Sequence, residues 1–176
     1  MQKKHKWLIG ILVLALTACG GPNPQRPSTR LGKGATVEAD SAQLALMEYN
    51  ARMVEAADKE LMTLAQTREG EYAVYDTGTW MRIDDPGDLD AEAVSRGDRR
   101  TVAMRVYDLK GQLLIDSHRE YTIGQMEMPF GIDMNVRHLH PGARVRMLMP
   151  WYAAYGMQGN DYVPPYTNVI IDLEIQ

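Results

Sequence analysis

Few side chains in this 176-residue sequence are of the types and spacings that carry covalent chemistry. There is a single cysteine, Cys19, so a disulfide framework is excluded. The serines lie in no nucleophile elbow such as GxSxG, which disfavours hydrolysis through an activated hydroxyl. His138-Leu139-His140 is the one histidine pair that invites a metal reading. On a helix, however, residues two apart point in different directions, and no cysteine or acidic cluster completes a tetrahedral set. No metal is expected, and the histidines suit a helix end, where positive charge is favoured. No nucleophile constellation emerges from these residues.

Charge and composition narrow the partners. Hydrophobic residues make up 45% and charged residues 24%, as in a folded globular chain, and the formal charge is −4. At the start, Lys3, Lys4 and Lys6 precede an apolar run from Trp7 to Leu16, and Leu16-Thr17-Ala18-Cys19 follows. The run is short for a membrane span of about 20 residues and ends in small residues, so 1–18 resembles a bacterial lipoprotein signal. That resemblance implies cleavage before Cys19 and lipid on its sulfur, which anchors the chain in a membrane. Losing three of the 19 basic residues and none of the 23 acidic ones would leave the mature chain at −7, which argues against nucleic acid as the partner. Gly20 and the lack of acids just after Cys19 fit the periplasmic face of an outer membrane.

The elements that would position a site come next. Residues 19–36, rich in Pro, Gly and polar residues, read as a tether. Residues 37–69 hold one helix, with its regular part over 41–67, Asp40 as N-cap, Gln43 three residues on, and Gly70 as its stop. Leu44, Met47, Ala51, Val54, Leu61 and Ala65 form an apolar stripe broken by Asp58. Two readings stand: packing on the domain that follows, or a coiled-coil seam that makes a homodimer.

From residue 70 to 176 the period shortens to that of strands, at 79–83, 99–109, 113–117, 119–123, 143–149 and 168–175. Lys110-Gly111-Gln112 supplies a hairpin turn, 131–140 a short helix ending at Pro141-Gly142, and 84–98 an acidic loop. The fold class is α+β: an antiparallel sheet with one short helix on it, preceded by the N-terminal helix.

The last third carries the specific signal: Gly131-Ile132-Asp133, then His140-Pro141-Gly142-Ala143-Arg144-Val145, Ala154-Tyr155-Gly156, Val163-Pro164-Pro165, and a strand ending Asp172-Leu173-Glu174-Ile175. In order and spacing this resembles the C-terminal half of the FKBP-type peptidyl-prolyl isomerases. Arg96-Gly97-Asp98 and Ile115-Asp116-Ser117 resemble earlier parts of that domain, so the resemblance covers about residues 70–176. The helix before it and the TGTWMRI strand resemble an arrangement in FKBP-like lipoproteins of Bacteroidetes, some linked to gliding motility.

The resemblance implies an FKBP-like fold, proline-containing polypeptides as partners, and no cofactor. It assigns Tyr155 the hydroxyl that reaches the bound backbone and Asp116 the acid after the first pocket wall, both as catalytic residues. Ile115, Met128, Ile132, Val163 and Ile171 take the apolar substrate-binding walls. Ile115 stands where phenylalanine is usual and Ile132 where tryptophan is usual, so the niche loses aromatic surface. Arg105 stands where a tyrosine is usual, within reach of pairing with Asp116. Aligned without a gap, Pro129 replaces the residue whose N–H holds the substrate carbonyl, while a one-residue insertion puts Met128 there. Three functions follow: a membrane-tethered isomerase, a binding or chaperone-like module on the same scaffold without turnover, and a structural envelope lipoprotein dimerised by its first helix.

Overall fold

The structure, a computed structural model, describes residues 33–176, with side chains from residue 40 onward. The signal and Cys19 lie outside the described residues. The chain divides into two compact units, Met1–Leu44 and Ala45–Gln176. Of the first unit, only the opening turns of helix α1 (Lys33–Thr67) are described.

Helix α1 starts at Lys33, about two turns before the expected cap at Asp40, which therefore lies inside it. The last proline upstream is Pro27, so from Lys33 no missing N–H interrupts propagation. Within the second unit, Ala57, Leu61 and Ala65 recur every four residues and are buried. Leu61 and Ala65 join Leu148 and Ile170 in a small apolar cluster flanked by Tyr72, Trp80 and Tyr107. Full burial of Leu61 alone contributes about 2 kcal/mol. Of the two readings of the stripe, packing on the sheet accounts for its C-terminal half, while Leu46, Met47 and Tyr49 stay exposed.

The sheet contains β1 (Ala73–Val74), β2 (Trp80–Asp85), β3 (Arg99–Asp108), β4 (Leu113–Thr122), β5 (Arg144–Met149) and β6 (Val169–Ile175), in the order β1-β2-β5-β6-β3-β4. All described pairings are antiparallel. Where two strands were expected at 113–117 and 119–123, one continuous β4 runs. His118, at the expected break, is simply an exposed position within the alternation. The hairpin between β3 and β4 is built by Asp108, whose carboxylate accepts from the N–H of Lys110 (2.9 Å) and Gln112 (2.8 Å) while Gly111 takes φ 90°.

Register sets the two faces of the sheet. One row runs Met81, Met147, Ile171, Val106 and Ile115, all apolar, across β2, β5, β6, β3 and β4. It faces helix α2 (Phe130–Asn135), whose Ile132 is fully buried in the same cluster. The neighbouring register position gives Arg82, Arg146, Asp172, Arg105 and Asp116 on the opposite face. There the Arg146 guanidinium donates twice to Asp172, at 2.6 and 2.7 Å, which holds the Arg146 pKa above its ordinary value. The face toward α2 is the inner face below, and the one carrying the charged row is the outer face.

Candidate functional site

The inner face, α2 and the turn after β5 enclose one apolar cluster. Met128, Ile132, Val163 and Ile171 are buried members, and Ile115 and Tyr155 pack against it partly exposed. Six of the residues singled out from sequence are thus brought together although they lie on four separate stretches of chain. Close approach of α2 is made possible by Gly131. A Cβ there would stand 2.8 Å from the Ala153 carbonyl oxygen and 2.9 Å from Met149 Sδ. The Gly131 N–H donates to that same Ala153 oxygen at 2.8 Å, so α2 is bonded directly to the turn that carries Tyr155.

That turn is compact. Pro150 accepts from the N–H groups of Ala153 and Ala154, both at 3.0 Å, and Trp151 accepts from Gly156 at 2.7 Å, with Gly156 at φ 74°. Tyr155 therefore stands on a backbone fixed on both sides. Its phenol is pushed up to about 12, first by burial and second by the neighbouring phenol of Tyr121, so it stays protonated and able to donate at neutral pH.

Tyr121 and Ser117 are the site residues that sequence reading missed. Tyr121 is buried, its hydroxyl lies 3.1 Å from Ser117 Oγ, and the Arg119 guanidinium sits 4.5 Å over its ring. The signal was in β4: Ile115, Ser117, Arg119 and Tyr121 share one parity and hence one face. The inner face thus carries the polar atoms of Tyr155, Tyr121 and Ser117 beside otherwise apolar walls.

Asp116 requires a correction. Expected beside the first pocket wall, it pairs in register with Arg105 and belongs to the outer face, because a one-residue step along a strand reverses the side-chain direction. It lines an open, largely polar groove of about 740 Å³ together with Asp84, Arg105, His118, Arg144 and Asp172. That groove is on the side of the sheet away from Tyr155 and is not the apolar niche. Arg105 is exposed there and does not plug the inner cluster.

Two further placements bear on catalysis. Pro129 is the N-cap of α2, so the residue directly before the helix offers no N–H to a substrate carbonyl. The walls are also closed on one another: Ile132, Val163 and Ile171 are 0% exposed. Ile115 and Tyr155 are among the partly exposed side chains packed against this closed cluster. Met126, Met157 and Tyr162, on the loops at 124–129 and 156–163, and Phe130, the first residue of α2, are large, exposed apolar side chains.

No group of three or more His, Cys, Asp or Glu that could hold a metal occurs among the described residues. His138 instead bonds Asp76 Oδ2 at 2.8 Å, and His140 Nδ1 lies 3.0 Å from the Ala91 carbonyl oxygen. Among the described residues no helix is long and apolar enough to cross a membrane.

Comparison with solved structures places this geometry in a known fold. A peptidyl-prolyl cis-trans isomerase from Pseudomonas syringae superposes with a TM-score of 0.60 and 19% identity, over 71% of this chain and 92% of that one. FkpA from Escherichia coli gives 0.60 and 20%, over 83% of this chain and 72% of that one. The N-terminal domain of FKBP42 from Arabidopsis thaliana gives 0.55 and 20%, over 62% and 92%. No family model matches the sequence, and no curated protein matches it. The chain has the FKBP-like fold: a six-stranded antiparallel sheet with a short helix against it, preceded by a long helix.

Proposed function

We propose that this protein is a peptidyl-prolyl cis-trans isomerase of the FKBP type, acting on X-Pro bonds of polypeptides in a bacterial envelope. The observation that carries the reading is the position of Tyr155: a protonated phenol held on a rigid turn at the edge of an apolar cluster, in a fold shared with isomerases. The chemistry asks little of a protein. Rotation about an X-Pro bond meets a barrier of about 20 kcal/mol, and the twisted amide loses resonance and with it charge separation. An apolar niche favours that twisted form, and a phenol hydroxyl that donates to the substrate backbone holds it in place. Ile115, Met128, Ile132, Val163 and Ile171 supply the walls. A ten-thousandfold acceleration needs only about 5.5 kcal/mol.

The lipoprotein signal at 1–18 supports attachment through Cys19, and the run that follows it favours the periplasmic side of an outer membrane. On this reading the chain is a lipoprotein of the Bacteroidetes kind, with proline-containing chains as partners. The exposed apolar side chains of α1, Leu46 and Met47, leave room for a homodimer through that helix.

A second reading is favoured by the closed walls and by Pro129: a binding or chaperone-like module that captures extended chains on Phe130, Met157 and Tyr162 without turnover. One assay separates the two. A protein whose slow refolding phase is limited by X-Pro isomerisation is refolded with increasing amounts of the full chain. The isomerase reading expects the slow phase to accelerate at substoichiometric amounts. Suppressed aggregation with an unchanged slow phase overturns it in favour of the binding module.

A further inference from the structure

We infer that two acids of helix α1, Asp58 and Glu60, are positioning residues for the turn that presents Tyr155. The inference deepens the isomerase reading and rests on it for its kinetic half. Asp58 lies on the helix stripe as an exposed acid that interrupts an otherwise apolar pattern, and Glu60 is exposed beside it. Both are nevertheless committed to the segment after β5.

Two routes of hydrogen bonds leave the helix. In the first, the Tyr152 hydroxyl donates to Asp58 Oδ1 at 2.6 Å. In the second, Asn168 Nδ2 donates to Glu60 Oε2 at 2.8 Å, Asn168 Oδ1 accepts from the Trp151 N–H at 2.9 Å, and the Trp151 carbonyl accepts from Gly156 at 2.7 Å. Asn168 is buried and satisfied on both ends of its amide, so its orientation is fixed by these two partners. The second route ends on the residue next to Tyr155, and the first on the residue three before it. Trp151 is fastened again where its Nε1 donates to the Met53 carbonyl at 3.4 Å, and Tyr166 packs between Trp151 (4.8 Å between ring centroids) and Tyr49 (6.1 Å).

The sheet alone does not set this geometry. β5 ends at Met149 and β6 begins at Val169, so the turn and the loop after it lie outside the ladder. Bonds from α1 fix the end of the turn on the helix side, and the Gly131 bond to Ala153 fixes it on the α2 side. Tyr155 is thereby held from two helices, one of which makes no contribution of its own to the apolar walls. A displacement of a reacting group by about 1 Å can cost up to about a hundredfold in rate, so loosening one clamp has a measurable effect.

The test uses the full chain and five variants: Asp58→Ala, Asp58→Asn, Glu60→Ala, Glu60→Gln and the intervening exposed control Lys59→Ala. Two quantities are read, amide hydrogen exchange at Gly156 and kcat on a tetrapeptide with a Leu-Pro bond, each corrected to the folded fraction. Both alanine variants are expected to exchange Gly156 at least about tenfold faster and to lose about tenfold in kcat with KM little changed. Asn and Gln keep an acceptor oxygen and are expected to restore most of both, while Lys59→Ala matches the wild type. Unchanged Gly156 protection in the alanine variants overturns the inference whether or not the wild type turns over. Faster exchange with full kcat in an active wild type also overturns it, since the bonds would then be structural only. An inactive wild type whose Gly156 protection still falls leaves the clamp standing and removes the isomerase reading instead.

Discussion

Arg105 on β3 and Asp116 on β4 stand directly opposite one another in register, with Asp172 of β6 on the other side of Arg105, and all three lie on the face of the sheet away from Tyr155. The arginine that replaces a customary pocket residue and the acid expected to serve the pocket are therefore removed from it together. Asp116 holds the Arg105 guanidinium above its usual pKa as a lesser cause, behind the hydrogen bond with Tyr107. Asp116→Asn is expected to leave isomerisation of a Leu-Pro peptide within about twofold of the wild type, as for surface changes elsewhere. A loss of a hundredfold would place the carboxylate back in the reaction.

Tyr155 is the opposite case. Tyr155→Phe removes one hydroxyl from the edge of the cluster while keeping the ring that packs against it. Losing one donated hydrogen bond of about 1 to 1.5 kcal/mol should lower kcat/KM about tenfold. The denaturation midpoint of the variant should stay close to that of the wild type, because the ring is unchanged. Kinetics and urea unfolding on the same preparation check both statements.

The raised Tyr155 pKa gives a pH signature. A phenol at about 12 in the folded chain, against an ordinary value of 10, favours the protonated form in the native state. Its contribution to stability is whole below pH 10 and is lost as pH rises through 12. The rate should show no ionisation of Tyr155 between pH 6 and 9. Ultraviolet titration of wild type against Tyr155→Phe should assign the missing phenolate step to a pH well above 10.

The junction of α1 with the outer face is open to a stability test. Leu61 is fully buried against Leu148 and Ile170, so Leu61→Ala leaves a cavity and should cost about 2 to 5 kcal/mol in urea unfolding. Met47→Ala, on an exposed part of the same helix, should cost under about 0.5 kcal/mol within a monomer. If Met47→Ala lowers stability in a concentration-dependent way, the exposed stretch is a seam between two copies.

Much of this architecture is legible in the sequence because hydrophobic period and turn chemistry agree over long stretches. Val145, Met147 and Met149 alternate along β5, and Asp108 with Gly111 closes the hairpin without help from distant residues. The walls Ile132, Val163 and Ile171 could be found together because the order of short motifs around them is specific. Facing was harder. Whether Asp116 or Ile115 points at α2 depends on a register shift between Val106 and Tyr107, which pairing shows and spacing does not. The role of Asp58 was hidden for a similar reason: its partner Tyr152 is 94 residues away, and an acid on an apolar stripe reads as an interruption until that partner is seen. Tyr121 was missed because splitting β4 at His118 broke the alternation that aligns it with Ile115.

On the isomerase reading, the apolar cluster beside Tyr155 opens to a prolyl ring and lets its amide rotate. Exchange spectroscopy of a short Leu-Pro peptide with the full chain, recorded with methyl labels on Val163, Ile132 and Ile171, tests it most directly. Faster cis-trans exchange together with shifts of those three methyl signals is the expected result. Unchanged peptide line shapes at high protein concentration, with the three methyls unmoved, would contradict it.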